Sequence, residues 1–210
     1  MAKLTELSCE EFLEKLASAA PTPGGGGGAA MAGALAASLS SMVANLTIGK
    51  KGFEANEARI KELLAQAEQL RAELVDLVQQ DAGVFDSFMA CYKLPKATDA
   101  EKQARLDAIH AAAKGAAMVP MNIARAASKV LVIADELSII GNPNVITDAT
   151  CSAILARAAL RCAVYNVYIN LKLTKDETFN KALSKEMAQL REDAHALEDR
   201  VLEATHKALL

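Results

Sequence analysis

The sequence predicts an all-α fold: one helical-bundle domain over residues 1–210, with two very long helices, that dimerises along its length. Three observations carry this. From Glu54 to Tyr92 the chain has no proline and a single glycine, Gly83, and its apolar residues recur at heptad spacing. From Leu16 to Ile48 there is no charged residue, and the stretch is mostly Ala, Gly, Ser, Leu and Met. Runs of alternating β-branched and aromatic residues, the signature of strands, are missing throughout.

The elements follow in order. Ser8-x-x-Glu11 is a capping box, so a first helix starts there, with Phe12, Leu13 and Leu16 as its apolar side. Pro21 and Pro23 stop it. Gly24 to Gly28 then read as a tight glycine turn that another chain segment or a ligand can approach closely. The helix Ala29–Thr47 behind it is small or apolar on all sides and belongs in the middle of the molecule. It ends at Gly49-Lys50-Lys51-Gly52.

Residues 54–92 form the first very long helix. Ile60, Ala67, Leu74 and Phe88 share one seven-residue series, and Leu63, Leu70, Leu77 and Val84 share another. The missing member of the first series is Asp81, so the pattern points a carboxylate at the packed side. Leu94-Pro95 ends the helix. Thr98-x-x-Glu101 caps the next, expected to run to Met118 and to break or kink at Pro120 before a further helix reaches Ile140. Gly141-Asn142-Pro143 is a turn. A helix over 147–173 carries Asp148 in its first turn and Asn166 and Asn170 one turn apart on one face. Thr174-x-x-Glu177 reads as a third capping box. The last, long helix has apolar heptad stripes of Leu183, Leu190, Leu197 and of Met187, Ala194, Val201. About seven helices result, with no strand, repeat or linker.

Composition removes several function classes. A net charge of −3 lacks the basic footprint of a nucleic-acid binder. The uncharged 16–48 run has few Leu, Ile or Phe, which argues against a membrane span. Cys9, Cys91, Cys151 and Cys162 form no CxxC pair and have no His at ligand spacing, so free thiols in a reducing cytoplasm are expected and no metal site is. Gly28 is followed by Ala29-Ala30, where a nucleotide P-loop needs Lys-Ser or Lys-Thr. There is no G-x-S-x-G elbow, and the three histidines are scattered.

Asp81 is therefore the sharpest chemical signal. It is either a structural carboxylate paired with a cation or a backbone donor, or a general acid/base whose pKa burial raises toward working pH. Asn166 and Asn170 are either satisfied by neighbouring helices or turned to a heterocyclic ligand. Asp148 answers the helix dipole or binds the ligand. Lys50, Lys51 and Lys93, near helix ends, are solvated or hold an anionic tail.

Taken together, Pro21-Thr-Pro-Gly-Gly-Gly26, Met42-Val-Ala-Asn-Leu-Thr-Ile-Gly-Lys50, Asp81-Ala-x-x-Phe85, Lys93-Leu-Pro95, Val119-Pro120, Gly141-Asn142, Asp148-Ala149 and Asn166-Val-x-Ile-Asn170-Leu171 resemble the cyclodeaminase/cyclohydrolase family of one-carbon folate enzymes over nearly the whole chain. The resemblance implies an all-helical homodimer, a tetrahydrofolate derivative as the small-molecule substrate, and no cofactor beyond it. It implies Asp81 as the catalytic carboxylate. Gly24, Gly25, Gly26, Lys50, Asp148, Asn166 and Asn170 are the expected substrate-binding residues. One departure is that Gly27 and Gly28 follow the third glycine, where the family is expected to have a serine. The expected activity is methenyltetrahydrofolate cyclohydrolase. Formiminotetrahydrofolate cyclodeaminase is the alternative, and a non-catalytic helical dimer is the reading from another class.

Overall fold

The computed structural model describes residues 3–210, which fold into six α-helices: α1 Cys9–Ala17, α2 Gly25–Asn45, α3 Glu57–Cys91, α4 Asp99–Ile140, α5 Ile146–Leu171 and α6 Glu177–Leu209. Among the described residues there is no strand. The capping boxes at Ser8 and Thr98 form as the sequence predicts. At Thr174 the box fails. Asp176 caps α6 instead, its carboxylate accepting from the Phe179 N–H, while the Thr174 hydroxyl turns back to the Leu171 carbonyl. A carboxylate outcompetes a hydroxyl at a helix N-terminus because the unpaired N–H groups there favour negative charge.

Two other expectations are corrected. The glycine run is not a loop: Gly24 is the residue before α2, and Gly25 to Gly28 form its first turn. Each glycine costs about 1 kcal/mol of helix propensity relative to alanine, and packing requires it at buried Gly26, where an added Cβ would run into Asp81. The second correction concerns Pro120, which lies inside an unbroken α4 of 42 residues. A proline there removes one backbone N–H and strands the carbonyl four residues back. That carbonyl belongs to Ala116, and the Asn170 side-chain amide of α5 donates to it at 3.0 Å. A side chain from another helix thus fills the gap that would otherwise end the helix.

Helices α2, α3, α4 and α5 surround the core, and α6 packs on α4 and α5. Small residues allow the closest approach. The Ser40 and Ser152 hydroxyls lie 2.8 Å apart across α2 and α5, and a Cβ on Gly33 would sit 3.0 Å from Leu74. Helix α2 is long and apolar enough to cross a membrane, yet most of it is buried inside the bundle. Both heptad series of α3 point inward: Ile60, Leu63, Ala67, Leu70, Leu74, Leu77 and Phe88 are all buried. Ion pairs Arg125–Glu186, Arg200–Asp135 and Arg157–Glu198 tie α6 to α4 and α5.

Helices α2 and α5 run antiparallel. At one end the Asn142 N–H donates to the Thr47 hydroxyl, just beyond the α2 C-terminus and before α5 begins. At the other end the start of α2 meets Asn166, near the end of α5. The bundle end that joins the N-terminus of α2 to the C-terminus of α5 is where the polar residues converge.

Candidate active site

A cavity of about 290 Å³ opens at that end. Pro21, Thr22 and Gly24–Gly26 form one wall, Asp81, Val84, Phe85 and Phe88 of α3 a second, Ala116 and Val119 of α4 a third, and Asn166, Ile169, Asn170 and Leu173 the last. Most of this lining is apolar. The polar groups are few: one carboxylate, two side-chain amides and the exposed backbone at the start of α2.

The heptad register of α3 delivers Asp81 to this place. Its Oδ2 accepts a hydrogen bond of 2.9 Å from the Gly27 N–H, so the carboxylate sits on the positive end of α2. No lysine, arginine or histidine among the described residues pairs with it. Burial raises its pKa above the ordinary aspartate value, and the Gly27 N–H offsets only part of that effect. The carboxylate is therefore positioned by a dipole but left without a counter-charge.

The glycines make this position possible. A Cβ on Gly26 would lie 2.2 Å from Asp81 Oδ1 and 2.6 Å from its Cγ, so no side chain fits. Gly25 faces Asn166, with 3.4 Å from a built Cβ to Nδ2. A Cβ on Gly28 would meet nothing within 4 Å, and one on Gly24 only the Pro21 carbonyl at 3.7 Å. The N–H groups of Gly25 and Gly26 make no hydrogen bond among the described residues, as expected for the first turn of a helix.

The two asparagines are half satisfied. Asn166 Nδ2 donates to the Cys162 carbonyl, and Asn170 Nδ2 donates to the carbonyls of Ala116 and Asn166. Their amide nitrogens thus donate to the protein, while among the described residues neither Oδ1 accepts a hydrogen bond. Two acceptors, two backbone N–H donors and one carboxylate border a pocket with apolar walls. This suits a flat heterocycle with its own donors.

Of the residues singled out from the sequence, Asp81, Gly24, Gly25, Gly26, Asn166 and Asn170 meet here. Lys50 and Asp148 do not. Lys50 lies past the far end of α2, about 30 Å away by helix rise, and Asp148 is about 27 Å from Asn166 along α5. Sequence reasoning missed Ala116, Phe88 and Leu173. Pro120 was the available signal for Ala116, because a proline inside a helix always frees the carbonyl four residues before it. Among the described residues no group of three or more His, Cys, Asp or Glu is gathered where it could hold a metal ion.

The fold and site together define an all-helical protein with one desolvated carboxylate in a largely apolar cleft. Residues 8–189 match the formiminotransferase-cyclodeaminase family model, and the chain belongs to that family. It is 45% identical over 194 residues to a methenyltetrahydrofolate cyclohydrolase of Methylorubrum extorquens, covering 92% of this chain and 93% of that protein. It is 30% identical over 191 residues to the formimidoyltransferase-cyclodeaminase of Rattus norvegicus, covering 91% of this chain but 35% of that longer protein. A crystal structure of a formiminotetrahydrofolate cyclodeaminase from Thermotoga maritima superposes with a TM-score of 0.89 at 32% identity, covering 99% of this chain and 100% of that one.

Proposed function

We propose that this chain is a methenyltetrahydrofolate cyclohydrolase, which adds water to 5,10-methenyltetrahydrofolate and yields 10-formyltetrahydrofolate. The 45% identity to a cyclohydrolase over nearly the full length of both chains supports the choice of reaction. The observation that carries the mechanism is the placement of Asp81: a carboxylate of raised pKa, lining a largely apolar cavity, with no cationic partner among the described residues.

The methenyl substrate is a cation. A cleft with one carboxylate and no lysine or arginine in its wall attracts it. The pterin edge donates to the free Oδ1 atoms of Asn166 and Asn170, which leaves the bridge carbon facing Asp81. The ionised Asp81 removes a proton as water attacks that carbon, giving a neutral carbinolamine. Protonated Asp81 then returns the proton to N5 as the N5–C bond breaks. The hydroxyl proton leaves to solvent as the formyl group forms on N10. One water is consumed and one proton released. The unpaired N–H groups of Gly25 and Gly26 stabilise the oxygen while negative charge develops on it. One group serves both steps, and a raised pKa suits it to both.

The likeness to the Thermotoga maritima cyclodeaminase over the full chain favours a second reading, formiminotetrahydrofolate cyclodeamination. There N10 attacks the protonated formimino carbon on N5, Asp81 takes the N10 proton and passes it to the amine, and ammonia leaves as the cationic methenyl bridge closes. Supplying purified protein with each substrate separates the two. Loss of the methenyl absorbance from the methenyl compound marks the hydrolase. Its appearance from the formimino compound marks the deaminase. No change with either removes both readings.

The reading includes a homodimer, cytoplasmic location, and no cofactor beyond the folate. Leu35 and Met42 of α2, Leu46 just beyond it, and Ile154 and Tyr165 of α5 are exposed on two adjacent helices. A face two helices wide and about 30 Å long is of the size a stable dimer covers. Four free cysteines, three of them exposed, suit a reducing compartment.

A further inference from the structure

The cavity at Asp81 holds about 290 Å³, the lower end of the range for ligand sites, so a folate must extend beyond it. Helix α3 marks the way out. Asp81, Phe85, Phe88 and Tyr92 recur at intervals of four, three and four residues, which places them along one stripe of the helix. Helix rise sets Phe85 about 6 Å, Phe88 about 10 Å and Tyr92 about 16 Å from Asp81 along the axis. The Phe88 and Tyr92 rings meet edge to face at 5.4 Å. Phe85, Met89 and Tyr92 are exposed although apolar or aromatic, and they continue the cleft wall onto the surface.

Arg105 stands at the end of this stripe. Its Nε and Nη2 donate to the Tyr92 carbonyl at 3.2 and 3.1 Å, and its guanidinium carbon lies 5.4 Å from the Tyr92 ring centroid. The charge is thus fixed in position. Neighbouring carboxylates are engaged elsewhere: Asp99 with Lys102, Glu101 with the backbone of Ala97 and Thr98, and Asp107 with Gln103. No carboxylate among the described residues pairs with Arg105, and its Nη1 has no partner.

We propose that Arg105, held on Tyr92, is the subsite for the carboxylates of the substrate's glutamate tail, and that Phe85 and Phe88 carry the aminobenzoyl ring. This rests on the folate reading above. With the bridge carbon at Asp81, ordinary bond lengths put the first glutamate Cα about 8 Å further along the ligand. Its carboxylates fall past Phe88, and γ-linked residues reach the level of Tyr92. A guanidinium recognises a carboxylate by paired N–H donors, and one already pinned loses little freedom in doing so. Of the cations suggested by the sequence, Lys50 lies at the opposite end of the bundle, whereas Arg105 is fixed on Tyr92 at the end of the α3 stripe.

Arg105 also completes the C-terminus of α3, a structural role in its own right. The test separates the two roles. Steady-state kinetics are measured on methenyltetrahydropteroate, which has no glutamate, and on the methenyl mono- and triglutamates, with wild type, Arg105→Ala and Arg105→Lys. The expected result is a roughly tenfold higher KM for the triglutamate with Arg105→Ala, a smaller rise with Arg105→Lys, and unchanged kinetics on the tail-free compound. An equal change on all three substrates, or none on the triglutamate, overturns the subsite and leaves the cyclohydrolase reading standing. A wild-type protein inert on all three overturns that reading and the subsite with it.

Discussion

Replacing Gly26 with alanine tests how tightly the acid is built into the fold. An added Cβ would lie 2.2 Å from Asp81 Oδ1, 2.6 Å from Cγ and 2.8 Å from Oδ2. Ordinary contact begins near 3.4 Å, so the carboxylate must retreat by about 1 Å. Its one hydrogen bond among the described residues, 2.9 Å from the Gly27 N–H, does not survive such a shift. Misplacing a catalytic group by about 1 Å costs roughly 100-fold in rate. Stability changes less, because alanine gains about 1 kcal/mol of helix propensity while a hydrogen bond to a charged group is worth about 1.5–3 kcal/mol. The net loss is about 0.5–2 kcal/mol. The assay is turnover of the methenyl substrate beside thermal unfolding, with Gly28→Ala as the companion variant. Gly28 has nothing within 4 Å of an added Cβ, so that variant is expected to keep full activity and gain stability. A fully active Gly26→Ala protein would refute the argument that the carboxylate needs bare backbone beneath it.

Other outcomes follow from the same geometry. Burial raises the Asp81 pKa, so the acid limb of the kcat/KM profile is expected above the usual aspartate range, with activity falling as pH drops through that value. Because the folded-state pKa is raised, the charged form weakens the fold, and that penalty appears as pH rises through the folded value. Asp81→Asn is thus expected to melt higher than wild type at neutral pH, with the gap closing in acid; thermal scans across pH check this. Asn170→Leu removes the donor to the Ala116 carbonyl and is expected to cost about 1–3 kcal/mol in urea unfolding, with a weaker KM from the lost acceptor. Gly27→Ser is expected to fold normally, since its Cβ meets nothing closer than Pro23 at 3.4 Å. Its N–H still serves Asp81, so turnover should persist.

Much of the site was legible because α3 is regular. A carboxylate at the vacant place of a heptad series faces inward whatever surrounds it, and Asp81 does. Asn166 and Asn170 share a face for the same local reason. What was hidden depended on partners distant in sequence. The helix through Pro120 is completed by an amide 50 residues downstream, and no local rule reveals that donor. The glycine run becomes helical because α3 presses against it, a tertiary demand that overrides propensity. Lys50 follows the helix that begins at Gly25, and Asp148 lies in the first turn of the helix that carries Asn166 and Asn170. Antiparallel helices of about 30 Å carry them to the other end of the bundle.

The rate of methenyl ring opening by Asp81→Asn bears most directly on the proposed mechanism. The amide keeps the volume and can still accept from Gly27, but it moves no proton at working pH. The expected result is a kcat lower by about 10²–10⁴-fold, with helical circular dichroism and substrate binding retained. Turnover at the wild-type rate would contradict the role given to Asp81.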